Sequence, residues 1–228
     1  MALLGLFVAA RFDEANFVPT RKQRWRGPPL SIFRRGLTLA GRDHEVLLVL
    51  AATAIINGAG MIAWVFPKQL IRLGLTKDPA LWYTALGILA SAVGFMALRL
   101  AEARIDGIGV ARRTYALTCF IGTLGLIVLA CAPNALLGGV GVLLVSGISF
   151  NVTRAVSVIW VNRRTTSDVR ATVLSLLSQA ETVGEIGGGF ALALLARAAG
   201  IPQTLAASGA LIACAGLLVA RSRADRAS

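Results

Sequence analysis

The chain has 228 residues, of which 56% are hydrophobic and only 15% are charged, and its mean hydropathy is +0.73. A chain this apolar cannot cover a soluble core with polar side chains, so the composition excludes an ordinary soluble domain and indicates an integral membrane protein. The net charge of +12 would suit nucleic acid, but the basic residues lie between apolar runs rather than on one soluble face. We therefore expect no nucleic-acid partner.

Six apolar stretches are each long enough, at about 20 residues, to cross a bilayer as a helix. We call them spans A to F, and they are predicted at residues 46–66, 79–100, 112–132, 135–161, 170–198 and 202–220. The predicted fold is all-α, a polytopic membrane helix bundle of six transmembrane helices over residues 46–220. Residues 1–11 are apolar but too short to span, and are expected to be the remnant of a preceding transmembrane helix. Residues 12–45 are predicted to form a basic cytoplasmic linker and residues 221–228 a cytoplasmic tail.

The placement of lysine and arginine predicts the orientation, because positive charge stays on the cytoplasmic side. Eight of these residues lie within 11–45, four connect B to C, three connect D to E and three follow F, which puts eighteen on one side. The opposite side has only four, so both termini are expected to be cytoplasmic in a cell (inner or plasma) membrane. Trp64 and Trp160 lie near the ends of spans A and D, which is typical of aromatic anchors at the interface.

Three ionisable residues fall inside the spans, where a charge is costly and is a functional candidate by default. Glu181 lies about 16 Å past the predicted cytoplasmic end of span E, and Glu185 about 6 Å further. Arg154 lies about 13 Å inside span D, which precedes E through a short connection. Arg154 and Glu181 are therefore expected at similar depth.

Helical spacing predicts that three spans carry a polar inward face. On span E the face holds both carboxylates and a GxxxG pair that would let another helix approach closely: Glu181, Gly184, Glu185 and Gly188. On span D it is predicted to hold Gly147, Asn151, Arg154 and Ser157, and on span A Thr53, Asn57, Gly60 and Trp64. Asn57, Trp64 and Asn151 are candidates for lining a path across the membrane.

Two interpretations of the carboxylates remain open. In the first, Arg154 and Glu181 form a buried ion pair that fixes span D on span E, and Glu185 lies in a wet vestibule. In the second, a carboxylate near the middle of the membrane takes up and releases a proton as access alternates between the two sides. The two interpretations are compatible with each other.

The segment WVNRRTTSDVRATVLSLLSQAETVGEIGGG, residues 160–189, together with six spans and a basic lead-in, resembles the C-terminal half of a major facilitator superfamily transporter. Its cytoplasmic arginines Arg163, Arg164 and Arg170 belong to the most specific part of the resemblance. The loop signature of that family is present in degraded form as ALRLAEARIDGIGVARR, residues 97–113. There the resemblance implies cytoplasmic charge contacts by Arg104, Asp106, Arg112 and Arg113.

The resemblance implies that spans A to F correspond to the seventh to twelfth helices of a twelve-helix transporter, arranged as two inverted three-helix repeats. It also implies secondary transport, with exchange of a small organic molecule for protons. In that family the path lies between two six-helix halves, so this chain would act with a missing N-terminal half or as a homodimer. The expected partners are that second half, membrane lipid and a small-molecule substrate that the sequence does not identify.

A different function is also compatible with the sequence: a truncated or non-transporting membrane fragment, or a subunit that only packs against another membrane protein. An enzyme is not expected, because the spans have no HExxH motif, no Ser/Lys or Ser/His pair and no aspartate dyad. The three cysteines have no spacing that would hold a metal, and no metal or cofactor is expected.

Overall fold

A computed structural model describes residues 38, 41, 43–75, 79–103, 105, 107–165 and 169–221. The described part is helical, with six helices long and apolar enough to cross a membrane, which confirms the predicted class and number of spans. Spans A to F occupy His44–Arg72, Pro79–Glu102, Gly109–Cys131, Ala135–Arg164, Arg170–Ala199 and Ile201–Arg221. The predicted segment 1–11, most of 12–45 and the tail beyond Arg221 lie outside the described residues.

Span A starts two residues earlier than predicted and ends six residues later. Its α-helix His44–Gly60 is capped by Asp43, whose carboxylate accepts a hydrogen bond from the Glu45 amide at 2.9 Å. A 3-10 turn, Met61–Val65, then leads into a second α-helix, Phe66–Arg72. Pro67 explains this break, because a proline has no N–H to donate to the carbonyl four residues earlier but fits the first turn of a new helix.

Span D is also interrupted. An α-helix, Ala135–Val142, is capped by the Asn134 side chain, and a π-helical segment, Leu143–Ser149, separates it from the α-helix Phe150–Arg164. Spans B and E are continuous helices, Pro79–Glu102 and Arg170–Ala199, and so are C and F, Ile108–Cys131 and Ile201–Arg221. Between E and F the chain turns at Gly200, whose φ of 92° favours glycine.

The packing order divides the spans into inner and peripheral ones. Spans C and F make the most extensive contact, span A packs on E and F, and span D packs on B and C. Spans B and E are peripheral: only 6% of the most apolar window in each is buried, against 39–44% in the other four. The core therefore lies among A, C, D and F, and spans B and E each expose a long face.

Candidate functional site

A polar cavity of about 290 Å³ opens between spans A, D and E. Its walls combine carboxylate, guanidinium, amide and hydroxyl groups with aromatic rings. The residues that supply these groups include Thr53, Asn57, Trp64, Tyr115, Phe150, Asn151, Arg154, Ser157 and Glu185. The predicted path-lining residues Asn57, Trp64 and Asn151 all line it.

Arg154 and Glu181 meet across spans D and E, as expected from their similar predicted depth. Arg154 Nε lies 3.4 Å from Glu181 Oε1, and Arg154 Nη2 lies 3.5 Å from Oε2, so the guanidinium meets the carboxylate side-on. The Glu181 side chain is 14% exposed, whereas the Arg154 side chain is 72% exposed. The predicted burial is therefore wrong for the arginine: its charge reaches the open side of the cavity, because span D presents this face outward.

The closed end of the cavity is formed by three hydroxyl groups from three spans. The buried side chains of Thr53 and Ser157 share a hydrogen bond of 3.2 Å, which ties span A to span D. The buried Tyr115 of span C lines the same end of the cavity. Next to them, the Asn57 amide donates to the Thr53 carbonyl at 2.9 Å. The Thr53, Ser157 and Asn57 groups have hydrogen-bond partners inside the bundle. Polar groups therefore continue from the cavity towards the core of the bundle.

The open side of the cavity exposes a large aromatic ring next to polar groups that hydrocarbon would not solvate. Trp64 is 78% exposed, and Glu185 is exposed on the adjoining face of span E. The Asn151 amide donates to the carbonyls of Ser146 and Gly147 at 2.8 and 3.0 Å. The residues of the predicted polar stripe of span D therefore contact different spans. Gly147 packs on Ala90 of span B, whereas Ser157 faces span A.

Glycine contacts between spans A and E determine where the carboxylates lie. A Cβ on Gly58 would come within 2.8 Å of the Gly184 carbonyl oxygen, and a Cβ on Gly184 or Gly188 would collide with Ala54 or with Gly58. The predicted close approach at the GxxxG pair is therefore confirmed, and the neighbour is span A. This contact places Glu185 on the cavity wall.

A second cluster at the basic end of the bundle involves a residue that the sequence did not single out. Glu45, only 4% exposed, forms an ion pair with Arg112 of span C at 2.5 Å. The Arg112 guanidinium also lies 5.8 Å from the centre of the Trp160 ring, which packs edge-on against Tyr115. Trp160 is 1% exposed, so its predicted role as an interface anchor is wrong. Glu45 gave little signal, since it precedes the apolar run and looks like a solvated residue.

The other predicted loop charges have separate places. Arg163 donates to the Ile105 carbonyl at 2.7 Å and so ties the end of span D to the start of span C. Arg170 donates to the Thr165 carbonyl at 3.4 Å, and Arg113 and Arg164 are exposed. Arg104 and Asp106 lie outside the described residues.

Comparisons of the chain with protein-family models, with curated proteins and with solved structures found no match. The Glu185 carboxylate, the Arg154 guanidinium and the Glu181 carboxylate paired with it can bind a proton or a charged solute. The aromatic rings of the cavity can contact an organic solute.

Proposed function

We propose that this chain is one six-helix half of a secondary transporter of the major facilitator type, and that the cavity is its share of the transport path. The observation that carries the proposal is the Arg154–Glu181 pair, whose arginine lines the same open cavity as Glu185 in the middle of the spans. Ionisable groups at this depth are costly and are typical of substrate and proton pathways.

The packing order supports an arrangement of two inverted three-helix repeats, A to C and D to F. In this arrangement span A is equivalent to span D, and span B to span E. Span B packs mainly on D, and span E packs mainly on A, so the second helix of each repeat packs on the first helix of the other repeat. The contact between C and F fits the same arrangement, because each would be the third helix of its repeat and the two would be equivalent. Equivalent repeats around a central site are typical of transporters.

The residues exposed on the open side of the cavity support the proposal that a second six-helix bundle forms its missing wall. Trp64, Arg154 and Glu185 are exposed there, and neither charge is compatible with hydrocarbon unless protein or water covers it. Either a separate N-terminal half or a second copy of this chain would complete the path. With both termini cytoplasmic in a plasma membrane, the cavity would open alternately to the two sides.

We further propose that Glu181 and Glu185 couple transport of a small organic molecule to protons. In everted vesicles that maintain a pH gradient, proton release would be followed with a pH-sensitive dye while a panel of small organic compounds is added. At least one compound should release protons with the wild type and with Glu102→Gln, an exposed control at the end of span B. Glu181→Gln should abolish the signal, and retention of the signal by this variant would exclude coupling at Glu181.

The alternative function, a subunit that only packs against another membrane protein, is favoured by one observation. Gln179, Thr182 and Glu185 form an exposed polar strip along the peripheral span E, which would suit a protein partner without any transport. A wild-type chain that inserts in the membrane but releases protons with none of the compounds would support this alternative.

A further inference from the structure

A second cavity lies on spans C and F at the basic end of the bundle, and the proposed transport path does not use it. Its volume is about 470 Å³, and its described lining residues differ from those of the central cavity. They are Gly109, Arg112, Arg113, Ala116, Leu117, Phe120 and Ala220. We refer to this cavity as the C–F groove.

The charge of the C–F groove suits an anion. Arg113 is exposed at the groove, and Arg112 lines it with a side chain that is 12% exposed and is held in place by Glu45. Arg221, also exposed, directly follows Ala220 of the groove wall. Among the described lining residues none is acidic, and because Arg112 is paired with Glu45, the exposed Arg113 is the basic group that the groove presents to a phosphate.

The rest of the C–F groove suits a hydrocarbon chain. Leu117 and Phe120 are 60% and 45% exposed, and the same face of span C continues through Leu124 and Ile127, which are also exposed. The spacing of three and four residues makes this a continuous strip that extends about 20 Å from Arg113 into the membrane. An exposed arginine above an apolar strip of this length matches a phospholipid headgroup above its acyl chain.

Small residues keep the headgroup end of the C–F groove open. Ala116 and Ala220 contribute little side-chain volume, and a Cβ built on Gly109 would meet no other atom within 4 Å. A side chain at position 109 would therefore start in open space at the groove, which gives a way to fill the groove and leave its charge intact.

We propose that the C–F groove binds one anionic phospholipid, with its phosphate at Arg113 and an acyl chain along Leu117 and Phe120. The proposal requires only that the spans lie in a membrane. It is independent of whether the chain transports anything.

Native mass spectrometry of the full chain in detergent would test this lipid site. The purified protein would be titrated with phosphatidylglycerol, with phosphatidylcholine of the same acyl chains, and with glycerol 1-phosphate, which has the headgroup chemistry without the chains. We expect one tightly bound phosphatidylglycerol, weaker binding of phosphatidylcholine and no competition by glycerol 1-phosphate.

Two variants separate charge from shape. Arg113→Gln should weaken phosphatidylglycerol binding about fivefold, the usual contribution of one basic residue at a lipid surface. Gly109→Leu should weaken it to a similar degree or more by filling the groove, while Arg164→Gln, an exposed arginine on span D, should bind as the wild type does. Equal affinity for the two lipids, unchanged binding by both groove variants, or full competition by glycerol 1-phosphate would overturn the proposal.

Discussion

Arg154 and Glu181, 27 residues apart in sequence, face each other side-on across two neighbouring spans, with Nε to Oε1 at 3.4 Å and Nη2 to Oε2 at 3.5 Å. The contact links spans D and E, which also share span A as a neighbour, and it holds Glu181 beside the guanidinium that lines the cavity. Because the arginine is 72% exposed, its charge is screened by whatever fills the cavity.

A double-mutant cycle would measure this contact. Arg154→Ala and Glu181→Ala should each lower the free energy of unfolding in detergent, and the double variant should lose about 0.5–1 kcal/mol less than the sum, as expected for a partly exposed pair. Arg154→Ala combined with Glu102→Ala, which changes a carboxylate at the far end of span B, should be additive. Additive losses for the Arg154 and Glu181 pair would argue against the contact.

The glycine contact between spans A and E predicts a sharp difference between neighbouring positions. Gly184→Ala would place a methyl group against the Ala54 backbone, and the strain of overpacking should cost about 1–3 kcal/mol. Gly187→Ala, where a Cβ meets no atom within 4 Å, should be neutral or stabilising by up to about 1 kcal/mol, because alanine favours a helix. Thermal unfolding in detergent would compare them, and equal melting temperatures would contradict this close packing.

The buried Glu45 carboxylate should matter more for stability than its place near the end of a span suggests. Glu45→Ala removes the acceptor of the Arg112 ion pair, and loss of one partner of a buried pair costs about 3 kcal/mol. The exposed Glu102→Ala serves as the control. Replacing Arg112 by Met in the Glu45→Ala background should recover part of the loss. If Glu45→Ala unfolds at the wild-type temperature, Glu45 does not stabilise the junction of A and C.

The charge distribution predicts the orientation of the spans, which fusion reporters would test. Alkaline phosphatase needs an oxidising compartment to form its disulfides, so it should be inactive when fused after Arg221 and active when fused after Asn134, between spans C and D. The reverse pattern would place both termini outside the cytoplasm.

Hydropathy was sufficient to predict the spans, because a helix that crosses a membrane must be apolar over a known length. It failed at the end of span A, where Pro67 and Lys68 look like a loop although they belong to a second α-helix, Phe66–Arg72. The helical spacing correctly predicted that Gly184 faces protein. The similar predicted depth of Arg154 and Glu181 agrees with their contact.

Residues whose partners are distant in sequence were harder to predict. Glu45 and Arg112 are 67 residues apart. The burial of Trp160 depends on which other spans pack around it, and a local sequence pattern does not predict that packing. Which span each residue of the span D stripe contacts depends on the neighbours that surround it. In addition, a π-helical segment inside span D rotates the following residues away from the positions that an ideal α-helix would give them.

The central claim is that the cavity between spans A, D and E opens alternately to both sides of the membrane, and cysteine accessibility at Asn57 tests it most directly. In a background where Cys119, Cys131 and Cys214 are alanine, Asn57→Cys would be treated with an impermeant thiol reagent in intact cells and in everted vesicles. We expect reaction from both faces, and none at Leu124→Cys, which lies on the apolar strip of span C. Reaction at Asn57→Cys from one face only, or from neither, would contradict alternating access.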